Sequence, residues 1–492
     1  MADQQSVQNS KPSVGKNTVY NTIKTVFSII FPLITFPYIT RVIGVDNVGK
    51  INYGNSIVNY FSLIAGLGIS TYAIRECSKV RDSKAKLSDT ASQILSINII
   101  STIIAYVALF ITLLSARRLD SYRSLILIQS ATILFTTLGA DWLNQAMEDF
   151  RYITIRTVSI QVISLILMFI FIHHPDDYIK YAAISVLAAS GANVVNMLYR
   201  RRFCRTRFTL RIDWKKHVVP IMLLFSMILS QTIYTSSDTT MLGLMKGDRQ
   251  VGLYSTSVKI YNMVNTVVAS IAYVVMPELS AYFNKKDYKN INRILRYALS
   301  FIVTLGIPCL VGLNVITIPL IYTVAGADYV DAAMSMHILT IALACSFIGG
   351  FFGNIIMLPS GRERYSLQSS IVSAVVNFAL NLILIPIWGM NAAAATTAIA
   401  EFVGIFIVRR HVEKKIKIDR LWDIFKGPLV GGAGIAVVAA VVRLYFKNSY
   451  AITFVTIIVG AFVYAAVLYA FKNELFMQFV RPLKAKFTRE RK

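Results

Sequence analysis

Apolar residues along this chain gather into long runs separated by short polar stretches, and the length of the runs is the first datum. A bilayer core about 30 Å thick takes about 20 helical residues to cross. Fourteen runs meet that need, near residues 18–40, 51–74, 90–115, 123–142, 153–172, 178–199, 218–242, 251–276, 297–319, 331–358, 366–387, 391–408, 428–445 and 451–471. The tenth is long enough to hide a break at Gly349, Gly350 or Gly353. The pattern predicts an all-α polytopic membrane protein of about fourteen transmembrane helices.

Charge then orients the helices. If odd-numbered segments cross outward, 38 of the 50 Lys and Arg residues fall on one side and 10 on the other, leaving Lys24 and Lys259 inside helices. By the positive-inside rule both termini are cytoplasmic. The net charge of +25 therefore reports orientation and contact with an anionic inner leaflet, and no nucleic-acid partner is needed to explain it.

Several function classes drop out. The first seventeen residues are polar with no signal-peptide core, so the first run is expected to stay as a helix. Cys77, Cys204, Cys309 and Cys345 form neither a CxxC pair nor a disulfide framework. His173 and His174 beside Asp176 and Asp177 resemble a metal site only in composition, and a solvated connector accounts for them. The loops are short on both sides and carry no phosphate loop, metal-binding Asp pair or nucleotide fold. ATP hydrolysis and catalysis on a large outer domain have no seat here.

An internal repeat organises the runs. QAMEDFRYITIRTVSIQVISLILMFIFI from Gln145 leads into another helix as LPSGRERYSLQSSIVSAVVNFALNLILI does from Leu358, with Arg151 and Tyr152 matching Arg364 and Tyr365 at an offset of 213. Val48, Gly49 and Ile51 pair more faintly with Val251, Gly252 and Tyr254, at an offset of 203. The expected organisation is a cytoplasmic tail (1–17), an N-lobe of six helices (18–200), a basic linker (201–217), a C-lobe of six (218–409), a second basic linker (410–427), two further helices (428–471) and a basic tail (472–492). Paired lobes of like orientation are a transporter design that opens a central cavity to each side in turn.

Polar residues inside the runs are read against that design. Asn52, Asn55, Asn59, Ser62 and Gly66 form one stripe on the second helix, and Ser255, Lys259, Asn262 and Thr266 repeat it on the eighth. Such a face meets protein or water, because hydrocarbon leaves its donors unpaired; interhelical hydrogen bonding would explain the asparagines as well as a cavity does. Lys259 lies about 12 Å below the outer end of its helix, too deep for easy snorkelling, whereas Lys24 is near enough to the inner end to snorkel. Arg41 and Arg75 sit at helix ends. Together these cations suit an anionic substrate. A second group, Asp238, Asn377, Asn381 and Thr397, offers carboxylate, amide and hydroxyl oxygens at matching depth, as either a small-cation site or a hydrogen-bond knot. Glu401, one turn after Thr397, is a candidate proton carrier.

FPLITFPYITRVIGVDNVGKINYGNSIVNYFSLIAGLGISTYAIREC from Phe31 and DWLNQAMEDFRYITIR from Asp141 resemble segments of bacterial polysaccharide flippases of the Wzx type, in the MATE-like superfamily. The resemblance runs from about Asn17 through the second lobe. It implies two lobes of six helices forming a V, in the bacterial cytoplasmic (inner) membrane, that move undecaprenyl-diphosphate-linked oligosaccharide repeat units to the outer leaflet by alternating access. On that implication Lys24, Arg41, Arg75 and Lys259 engage the diphosphate, with Asn55, Asn59 and Asn262 beside them. Asp238, Asn377, Asn381 and Thr397 stand where relatives bind sodium, although Asn381 replaces an acid found in some of them. Sodium or proton coupling, membrane lipids, a polysaccharide polymerase and a chain-length regulator are the implied ion and partners, and no catalytic residue is expected.

The rival reading is a MATE-like cation-coupled drug or metabolite exporter, for which an acidic cavity would be expected in place of Lys259. A membrane-bound polymerase or glycosyltransferase lacks its outer loop here. A scaffold for polysaccharide assembly would use the basic inner loops and tail. Pro32 and Pro37 are expected to bend the first helix.

Overall fold

The computed structural model describes residues 14–478 and 480; most of the N-terminal tail and residues 481–492 of the basic C-terminal tail lie outside them. The described residues are helical and connected by short turns, with no strand. In chain order the α-helices are α1 Val14–Gly66, α2 Ile69–Lys79, α3 Lys84–Ser115, α4 Arg123–Gly139, α5 Trp142–Ala146, α6 Phe150–Phe171, α7 Tyr178–Val186, α8 Ala192–Tyr199, α9 Trp214–Lys246, α10 Asp248–Ala269, α11 Ile271–Lys285, α12 Tyr288–Val315, α13 Thr317–Ala325, α14 Ala333–Gly350, α15 Glu363–Trp388, α16 Met390–Arg410, α17 Leu421–Tyr445 and α18 Ser449–Ala470. Among the described residues, eleven helices are long and apolar enough to cross a membrane, or twelve if Trp214–Ser226 and Gln231–Lys246, bent by 49°, make one span.

That is fewer than the fourteen expected, for two local reasons. The first two apolar runs form one long helix, α1, interrupted only at Gly44 (φ 75, ψ 169). The fourth run is α4, only 17 residues long, because the chain turns at Ala140 (φ 49) into the short α5. The break in α1 is at Gly44 and not at the prolines: the helix runs through Pro32 and Pro37. The long tenth run carries its expected irregularity as a π-helical turn, Phe351–Met357, that follows α14.

The chain divides into two compact units, residues 1–240 and 241–492, with the boundary inside α9. In the first unit α1 packs on α3, α4 and α6, and α4 packs on α7 and α8. Its core gathers Ile69, Tyr72, Cys77, Leu87, Ile94, Trp142, Leu143, Cys204 and Ile221. In the second unit α16 packs on α14 and α15, while α17 pairs with α12 and α18. Many large apolar side chains stay exposed along the spans, Leu114, Val274, Val375 and Leu444 among them, as expected of helices that face lipid.

Both units use the same devices at matching places. Gly44 (φ 75) and Gly247 (φ 85) each take a backbone conformation that favours glycine, and they stand 203 residues apart. Ser83 caps α3 by accepting from Lys86 N, and Asp287 caps α12 by accepting from Asn290 N. Glu148 (φ 59) and Gly361 (φ 70) open the turns into α6 and α15. Arg151 and Arg364 stand exposed at the start of those helices, and the tyrosine that follows each is stacked: Tyr152 on Tyr199 at 3.5 Å, and Tyr365 on His411 at 3.8 Å.

Candidate functional site

The candidate cations occupy different environments. Lys24 is half-buried on α1. Arg41 is exposed just before the Gly44 break, where its Nη1 donates to Pro37 O at 2.6 Å. Arg75 is exposed on α2, 3.2 Å from Glu76 Oε1 and over the ring of Tyr72. On the second half of α1 the predicted stripe does share a face: Asn55 is half-buried and Asn59 exposed, while Asn52 donates back to Val48 O. Asp238 is buried in the first unit, close to Tyr60. Two residues on, Thr240 Oγ1 lies 2.9 Å from Ser56 Oγ and 3.2 Å from Tyr60 Oη, joining α9 to α1.

Lys259, Asn262, Asn377, Asn381 and Thr397 lie in the second unit. Lys259 is half-buried on α10 and Asn262, nearly one turn on, is exposed. Asn377 and Asn381 are fully buried. Asn381 Nδ2 donates to Asn377 Oδ1 at 3.1 Å, and Thr396 Oγ1 donates to Asn381 Oδ1 at 2.6 Å. Asn377 Nδ2 reaches Thr396 Oγ1 at 3.5 Å, which closes a three-residue knot between α15 and α16. Thr397 stands beside the knot, donating to Ala393 O with Tyr254 Oη 3.5 Å away. These hydrogen bonds bring in Thr396, which the spacing did not single out. Glu401 is half-buried on α16 toward Gly349 of α14, within electrostatic reach of Tyr261 and Cys345.

The backbone at His173 and His174 is tied to Asp177. Asp177 Oδ2 accepts from His173 N and His174 N, and its Oδ1 pairs with Lys180 at 2.7 Å. Among the described residues no group of three His, Cys, Asp or Glu side chains could hold a metal ion.

A polar centre that the sequence reading missed lies in the DWLNQAMEDFRYITIR segment. Its first and last residues form an ion pair, Arg156 Nη2 to Asp141 Oδ1 at 2.5 Å, with the Arg156 side chain only 4 % exposed. Gln145 Nε2 also donates to Asp141, and Asn144 joins Asn196 at 2.5 Å. Asn196 Nδ2 donates to Gly139 O, and Tyr199 Oη donates to Asp149 Oδ2. The turn at Glu148 separates the two charges, so their pairing has no helical spacing to betray it.

The helical fold, its apolar spans and its intramembrane polar groups define a multi-pass membrane protein of transporter type. Among solved structures the chain resembles the lipid II flippase MurJ in an inward closed conformation, with a TM-score of 0.74 and 18% identity over 93% of this chain and 99% of that one. It also resembles an inward-facing multidrug resistance transporter of the MATE family, with a TM-score of 0.53 and 14% identity over 78% of this chain and 98% of that one. At these identities the likeness is one of fold. Residues 14–283 match the polysaccharide biosynthesis protein family, and the chain belongs to it. Its relatives include a protein named as an O-antigen transporter in Escherichia coli K12, 20% identical over 82% of this chain and 99% of that one. Another is the capsular polysaccharide biosynthesis protein CapF of Staphylococcus aureus, 22% identical over 79% and 97%.

Proposed function

We propose that this protein is a flippase that carries undecaprenyl-diphosphate-linked oligosaccharide repeat units from the inner to the outer leaflet of the bacterial cytoplasmic membrane, by alternating access. The observation that carries the reading is membership of the polysaccharide biosynthesis family through residues 14–283, a stretch that runs from α1 almost to the end of α11. The fold shared with a lipid II flippase supports it. Both termini are cytoplasmic on this reading, because the basic loops share one side with them. Lys24, Arg41, Arg75 and Lys259 serve the diphosphate, where charge-assisted hydrogen bonds offset its dehydration, and Asn55, Asn59 and Asn262 serve the sugar. The glycan then passes to a polymerase and a chain-length regulator. Coupling is to sodium or protons, with Asp238 and Glu401 as intramembrane carboxylates to carry the charge.

The test is the distribution of lipid-linked glycan across the cytoplasmic membrane in cells carrying wild type, Lys259→Ala or no protein. Accumulation on the inner face in both the null and the variant is the expected result. A normal distribution in the null would overturn the flippase and leave the cation-coupled exporter. Repeating the wild-type measurement with the sodium or the proton gradient collapsed separates the two coupling ions.

A further inference from the structure

The segment between α8 and α9 is short, exposed and held in an unusual way. One membrane-spanning stretch ends at Arg202 and the next begins at Trp214, so the residues between them run along the membrane boundary. They are not a slack loop. Arg207 N donates to Ser92 Oγ at 3.1 Å, Thr209 N to Ser96 Oγ at 2.8 Å and Asp213 N to Gln93 Oε1 at 3.0 Å, while Ser88 Oγ donates to Arg205 O. A ladder of polar side chains on α3 thus pins the backbone where a partner strand would otherwise be needed. Cys204 anchors the start in the core of the first unit, and burial pushes its thiol up to about 11, which keeps it an inert anchor. His217 closes the far end, with Gln93 Oε1 3.2 Å from its Nε2 and Tyr72 Oη 2.7 Å from its Nδ1.

What this strap presents outward is both apolar and basic. Phe208 is 54 % exposed, Leu210 77 % and Trp214 47 %. Arg205, Arg207 and Arg211 are exposed among them, and residues 200–216 carry eight Lys and Arg against a single acid, Asp213. Large apolar side chains held in water beside cations fit a surface that is hydrocarbon below and anionic above. The corresponding segment of the second unit is also pinned, Lys417 N donating to Asn292 Oδ1 on α12. There, however, Val412, Ile416 and Ile418 are half-buried, so pinning alone does not force apolar residues outward.

We propose that residues 205–214 are an interfacial strap that docks on anionic phospholipid, with Phe208, Leu210 and Trp214 inserted at headgroup depth and Arg205, Arg207 and Arg211 on the lipid phosphates. The inference stands apart from the flippase reading, since it concerns the bilayer and not the cargo.

The test uses the full-length chain in nanodiscs of phosphatidylcholine with or without phosphatidylglycerol. A spin label at Leu210→Cys should be shielded from an aqueous nickel reagent and open to oxygen in discs containing phosphatidylglycerol. In Arg205→Gln/Arg207→Gln/Arg211→Gln protein, phosphatidylglycerol retained on native mass spectrometry should fall by about fivefold per arginine removed, and by less at high salt. Phe208→Ser, which leaves every charge in place, should weaken retention while the thermal transition stays put. A label open to nickel in both lipids, or unchanged retention in the triple variant, overturns the proposal. So does a label open in nanodiscs but shielded in native membranes, which would assign the strap to an acidic protein partner.

Discussion

Helices α6 and α15 occupy equivalent places in the two units, 213 residues apart, yet they bury polarity at opposite ends. In α6 the buried group is Arg156, near the start, held by Asp141. The matching positions in the second unit are Ser369 and Asn354, and Ser369 Oγ donates to Gly404 O with no charge involved. In α15 the buried group is the knot of Asn377, Asn381 and Thr396 toward the far end. There the first unit has Ser164 and Met168, both fully buried. One scaffold therefore accepts either an ion pair or neutral hydrogen bonds at each site. The two solutions differ in how much each depends on its partners.

The ion pair is the costlier one to break. Asp141→Ala would strand a guanidinium whose Nε and Nη1 are already buried without partners among the described residues. A loss of about 3–5 kcal/mol is expected, read as a fall in the thermal transition of the detergent-solubilised protein. Asp141→Asn with Arg156→Ser, which copies the second unit, should recover most of that loss. If the double variant is no more stable than the single, mutual neutralisation is not what the pair does.

The knot should be cheaper. Asn381→Ala removes one hydrogen bond from Asn377 Oδ1 and one from Thr396 Oγ1, which keeps Ala393 O, and neither group is charged, so about 1–3 kcal/mol is expected. The same thermal measurement ranks it against Asp141→Ala, and an equal or larger effect would reverse the comparison.

The smallest difference lies at the caps. Ser83 cannot titrate, whereas Asp287 accepts from Asn290 N and Nδ2, and those hydrogen bonds hold its carboxyl below the usual carboxylate range. The sign follows from that depression: the cap's contribution is complete above the unfolded value of about 3.9 and is lost as pH falls through the lower folded value. Hydrogen-exchange protection at the start of α12, corrected for intrinsic rate, should drop on acidification below about pH 4 while that at the start of α3 holds. Parallel loss at both caps would show that something other than Asp287 is responsible.

Much of the repeat was legible beforehand. The offset of 213 came from Arg151 and Tyr152 against Arg364 and Tyr365, and the structure adds the stacked rings of Tyr199 and His411 to it. The fainter offset of 203 falls beside Gly44 and Gly247, where the backbone of each unit takes a positive φ. Of the site residues, the stripe on α1 and the adjacency of Asn377 and Asn381 followed from helical spacing. Arg156 did not, because it was assigned to the margin of an inner loop and its partner is fifteen residues away across the turn at Glu148. Thr396 was passed over for its neighbour Thr397, since spacing on one helix does not say which face meets α15.

What the sequence determined by itself was the solvent and the scaffold: apolar runs of membrane length and two repeated sets of helices. Those follow from transfer free energies and helix periodicity, which act residue by residue along the chain. The tertiary structure alone decided which buried polar atoms meet, as in Arg156 with Asp141 or Thr396 with Asn381. A hydrogen bond needs two groups within about 3 Å, and helix packing sets that distance between residues whose separation in sequence carries no trace of it.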